Sequence, residues 1–165
     1  MTVLETIKHL KTILPAERFV LTGSYALSKI GLTIWTETLN DLDIILYKPT
    51  DEALATAQRL MDETPAATKP KEGYVSKLGL KYIFKFNDIK IDIFIQEAEP
   101  KATLLVENGE IEINNTVNIF AAKKLANREK DWKQLYQIAR GICTLNDFLK
   151  SQGFLADSSK TPVII

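Results

Sequence analysis

DLDIILY, residues 41–47, is the stretch on which the fold turns. Side chains alternate along an extended strand, so Asp41, Asp43 and Ile45 share one face while Leu42, Ile44 and Leu46 point the other way. Two carboxylates about 7 Å apart on one strand repel each other unless a cation or a basic group lies between them. A divalent metal meets that need, and Mg2+ is the natural choice because it prefers hard oxygen ligands. KIDIFI, residues 90–95, has the same character: Asp92 lies on the face of Lys90 and Phe94, with Ile91, Ile93 and Ile95 opposite. Acids seldom enter apolar strands without a partner, so three of them on two strands point to a shared site. The plainer readings are a turn cap for Asp41 and, for Asp92, a solvent-facing edge acid or an ion pair with Lys90 or Lys81.

Upstream, RFVLTG (18–23) reads as a buried strand ending in a glycine turn, and SYALSKIGL continues as a helix. Gly23 lets a phosphate approach the backbone, and the Ser24 hydroxyl with the following amides can bind its oxygens. Val3, Leu4, Ile7, Leu10 and Leu14 recur at helical spacing over 2–14, with Thr2 and Glu5 placed for a capping box and Pro15 as the stop. Thr50–Asp51 starts a further helix over about 51–62. TPAATKPKEG (64–73) is a surface loop. The alternation in YVSKLGLKYIFKFNDIKIDIFI predicts two antiparallel strands turning at Asn87–Asp88, and ATLLVENGEIEI predicts a hairpin at Asn108–Gly109. Residues 116–150 predict two helices or one bent helix, with Gly141 marking the break. ADSSKTPVII, 156–165, is a frayed or late-docking tail.

An apolar strand, Gly-Ser, a spacer, Asp-x-Asp and a later strand with a third Asp occur here in the order that resembles the polymerase-beta-like nucleotidyltransferase superfamily. Within it, VLTGSYAL and AAKKLANREKDWKQL are similar to the abortive-infection E-type and other minimal bacterial nucleotidyltransferases. The motif core covers 18–47 and 89–96, and the helical likeness reaches about residue 138. The sixteen residues between Ser24 and Asp41 exceed the usual spacer, and the inserted GLTIWTETLN (31–40) carries Trp35 and Glu37.

The resemblance implies an α+β fold: a mixed β-sheet flanked by helices, with a core over 1–115 and C-terminal helices over 116–165 packed on it. By resemblance, Asp41 and Asp43 hold two Mg2+ ions, with Mn2+ as a substitute, and Asp92 binds one of them and helps deprotonate the acceptor hydroxyl. Gly23 and Ser24 hold the outer phosphates, and Lys123 and Lys124 bind triphosphate charge. The implied reaction is in-line attack on the α-phosphorus of a nucleoside triphosphate by a protein, RNA end or small molecule, releasing pyrophosphate. A toxin–antitoxin or phage-defence setting suits the likeness. The alternative is an inactive nucleotide-binding or regulatory module of the same fold, and Lys123, Lys124, Arg128, Lys130 and Asp131 can also be read as a solvated helix face.

Composition narrows the class. Hydrophobic residues at 45% and charged residues at 25% match a folded globular chain. Lys plus Arg and Asp plus Glu both total 21, so no overall field draws the protein to nucleic acid or lipid, which argues against a templated polymerase. The lone Cys143 cannot form an intrachain disulfide, the N-terminus reads as an amphipathic helix, and no run approaches a membrane span; a cytoplasmic setting without membrane attachment follows.

Overall fold

The computed structural model describes residues 2–15, 17–31, 41–64, 74–76, 79–86, 88–139 and 144–154. It is an α+β fold built on one mixed seven-stranded sheet. In chain order the elements are α1 (Val3–Ile13), β1 (Arg18–Thr22), α2 (Gly23–Lys29), β2 (Asp41–Tyr47), α3 (Asp51–Glu63), β3 (Tyr74–Ser76), β4 (Gly79–Phe86), β5 (Ile89–Gln96), β6 (Leu104–Val106), β7 (Ile111–Ile113), α4 (Thr116–Ala126), α5 (Glu129–Ala139) and α6 (Leu145–Ser151). Across the sheet the order is β3-β4-β5-β2-β1-β7-β6. The strands β2 and β5 run parallel, as do β1 and β7, and the other neighbours are antiparallel.

Alternation in the strands sorts the sheet into two faces. Phe19, Leu21, Leu42, Ile44, Leu46, Phe84, Ile91, Ile93, Ile111 and Ile113 line one of them and are buried with Ile7 and Leu10 of α1, Ala26 and Leu27 of α2, and Ala53, Ala57 and Met61 of α3. Truncating one such Leu or Ile to Ala costs about 2–5 kcal/mol, because the site collapses only partly around the void. Ile119 of α4 joins the same cluster, which ties that helix to the sheet. The other face carries the acids, together with the buried Val20, Ile45 and Ile83.

Local signals set the helix starts. Thr2 Oγ1 accepts from the Glu5 amide at 3.1 Å while Glu5 accepts from the Thr2 amide at 2.8 Å, completing the capping box that begins α1. Thr50 caps α3, whose first turn holds Asp51 and Glu52, where negative charge meets the positive end of the helix dipole. The β6–β7 hairpin turns through Glu107, Asn108 and Gly109, all at positive φ. Asp88 does the same between β4 and β5.

The 116–150 region departs from the expected one or two helices. Three lie among the described residues, and the first break falls at Asn127, whose φ of 54° ends α4 in a left-handed cap. Gly141 and Cys143, residues 32–40 of the insert, 65–73 of the expected loop and the tail over 156–165 lie outside the described residues. Among the described residues no helix is long and apolar enough to cross a membrane.

Candidate functional site

Register brings the second and third acids together. In the parallel pairing of β2 with β5, Asp43 lies directly opposite Asp92, and Asp41 lies opposite Lys90. Antiparallel pairing places Thr22 beside Asp43 on one side and Ile83 beside Asp92 on the other. One transverse row therefore reads Thr22, Asp43, Asp92, Ile83, with neighbouring strands about 4.8 Å apart. Two carboxylates separated by 49 residues of sequence become immediate neighbours at the centre of the sheet.

Gly23 closes one side of the pair. It follows β1 with φ +66°, a conformation that disfavours a side chain, and a Cβ built there would lie 2.3 Å from Asp43 Oδ2. The main chain at the β1–α2 turn thus packs against the carboxylate, and only glycine leaves the space for it. Ser24 follows in the first turn of α2 and is half-buried.

The two acids differ in electrostatics. Loss of solvent around Asp43, followed by the repulsion of Asp92, raises its carboxyl from the ordinary 3.8 to about 6; Lys123 and Lys81 oppose the rise, and Asp41 adds to it. Asp92 is only 7% exposed. Its Oδ2 receives Lys81 Nζ at 3.2 Å and Lys90 Nζ at 3.6 Å, while Oδ1 is buried with no hydrogen-bond partner. The ion pairing anticipated for Asp92 is present, yet it occupies one oxygen and leaves the other bare.

A second charged group borders the first. Asp131, 1% exposed, sits in the first turn of α5 and accepts from the Arg128 amide at 3.3 Å and from the Arg128 guanidinium at 2.7 and 3.0 Å. Its Oδ1 also lies 3.7 Å from Lys123 Nζ, on a lysine only 8% exposed. Hydrogen bonding to Asp131 raises the Arg128 pKa, with smaller contributions from Asp43 and Asp92. Lys123 and Asp131 are therefore not part of a solvated face; they are a buried pair whose lysine is felt at Asp43. Lys124, about 100° further round the helix, is exposed, and Asp41 is exposed at the start of β2.

Among the described residues no group of three His, Cys, Asp or Glu side chains is arranged to hold a metal ion. The pair alone nonetheless fits a hard divalent cation. Asp43 is held toward its protonated form by burial and then by the repulsion of Asp92, both of which a bound cation would offset, and Asp92 Oδ1 lacks a partner. Magnesium commonly takes one or two carboxylates and completes its shell with water and phosphate oxygens, so a third protein ligand is not required.

Sequence reasoning weighed Lys81 only as a surface partner of Asp92 and Asp131 only as a solvated acid. The alternation of β4 carried a signal for the first, since Lys81 falls on the face of Ile83. For the second, the signal was an acid three residues after the Arg128 that begins a helix. No known family, curated protein or solved structure is matched by the chain.

Proposed function

We propose that this protein transfers a nucleoside monophosphate from a nucleoside triphosphate to a hydroxyl of a protein, RNA or small-molecule acceptor in the cytoplasm, releasing pyrophosphate. The observation that carries the reading is Asp43 facing Asp92 across adjacent parallel strands with the Gly23 main chain packed against the first carboxylate. Such a pair has the charge and the vacant oxygen to bind Mg2+ or Mn2+, which when bound supplies charge neutralisation at the phosphate being attacked. Asp92 would give Oδ1 to that ion, and a hydroxyl brought beside the bound ion would lose its proton to solvent more readily. Lys123 and Arg128, anchored on Asp131, place positive charge near the same acids and are suited to hold phosphate oxygens. Gly23 and Ser24 bring a narrow turn of main chain to the edge of the pair. Asp41, exposed at the mouth, is suited to bind cations carried in with the triphosphate.

The test is pyrophosphate release from each of the four nucleoside triphosphates in Mg2+, with the label followed onto protein and RNA. Release from the parent protein that vanishes in Asp43→Ala supports the reading; no release together with no triphosphate binding overturns it. Lysines on Asp92 Oδ2 motivate a second reading, a nucleotide-binding regulatory module in which the acid is already neutralised. Tight binding without release favours that module.

A further inference from the structure

We propose that Lys81 is a built-in cation of this site, so that the Asp43–Asp92 pair accepts one divalent ion rather than two. The inference rests on the nucleotidyl-transfer reading and refines it. Lys81 lies on β4 opposite Phe94, two positions from the Ile83–Asp92 pairing and on the same face. The backbone ladder therefore aims it at Asp92, and its side chain has little freedom to leave. It is 16% exposed, its ammonium sits 5.1 Å over the Phe94 ring, and Nζ is 3.2 Å from Asp92 Oδ2. Lys90, by contrast, is 41% exposed and 3.6 Å away.

Charge balance leads to the same conclusion. The acids of the region are Asp41, Asp43, Asp92 and Asp131, and the cations around them are Lys81, Lys90, Lys123 and Arg128. Four acids meet four cations, so the region holds no surplus of negative charge that would call for two divalent ions, and the carboxylate oxygen left without a hydrogen-bond partner is Asp92 Oδ1. One bare oxygen beside one neighbouring carboxyl would suit a single ion held by Asp43 and Asp92. A second ion on Oδ2 would stand against the Lys81 ammonium at hydrogen-bonding distance, where like charges exclude each other.

Mn2+ binding to the full-length protein, counted by electron paramagnetic resonance and calorimetry without nucleotide, tests this. One ion per chain is expected for the parent protein and for Lys81→Arg. Lys81→Met should bind a second ion, or bind the first about tenfold more tightly, because a like charge within a few ångströms has been removed. Lys90→Met should move the affinity less than threefold. If Lys81→Met fails to fold, Lys81→Gln takes its place. Two ions on the parent protein, or a Lys81 variant with unchanged stoichiometry and affinity, overturns the proposal while leaving pyrophosphate release intact. Loss of both metal binding and pyrophosphate release in the parent protein instead overturns the nucleotidyl-transfer reading together with this one.

Discussion

Replacing Asp43 with asparagine should stabilise the metal-free fold while abolishing the proposed nucleotidyl transfer. The carboxyl rises from 3.8 to about 6 on folding, and at about 1.4 kcal/mol per pH unit that corresponds to an upper bound of about 3 kcal/mol against the folded state. Because Asp43 keeps part of its surface in solvent, a gain of about 1–2 kcal/mol is expected, or roughly 2–8 °C in Tm for a chain of this size. The sign follows from proton counting. Between about pH 4 and pH 6 the folded state holds a proton that the unfolded chain has lost, so ionisation weakens the parent protein progressively across that window and by a constant amount above it. The advantage of Asp43→Asn should therefore be absent near pH 3.5, grow through pH 5 and level off above pH 6. Thermal melts of both proteins across that range measure it, and repeating them at pH 7.5 in Mg2+ should raise the Tm of the parent alone. Equal melting temperatures at pH 7.5 without metal, or a variant that is the less stable of the two, would refute the cost of burying the Asp43 carboxylate beside Asp92.

Gly23→Ala should cost at least about 2 kcal/mol, since the residue sits at φ +66° and the new methyl meets Asp43 Oδ2; urea denaturation checks this, and Mn2+ affinity should fall with it. Asp131→Asn leaves Lys123 buried beside a neutral group and should destabilise the protein by about 3 kcal/mol, part of which Lys123→Met in the same chain restores. Full additivity of those two changes in a double-mutant cycle would show that the pair is not coupled.

The alternation of β2 and β5 made the faces of Asp43 and Asp92 legible from residues 41–47 and 90–95, because a period of two is a property of one strand. That the two acids meet was an inference from cost rather than from pattern: register between β2 and β5 depends on pairing between segments 49 residues apart, and no local signal encodes it. Capping chemistry read the start of α1 correctly, since Thr2 and Glu5 act within four residues. It missed Asn127, because left-handed caps are usually glycine and the sequence offered Gly141 instead. Asp131 was the deepest omission. NREKDWK is polar apart from Trp132, and only the packing of α4 against α5 makes its aspartate one of the most buried charges in the molecule.

The parallel union of β2 with β5 also shapes how the chain reaches its native state. Joining segments 49 residues apart requires closing a long loop, so this contact forms late and slowly in comparison with the β6–β7 hairpin. Its completion forces two anions against one another in the middle of the sheet. Proton or cation uptake is therefore tied to that pairing, and a newly made chain brings its two central acids together and closes β2 on β5 in the same event.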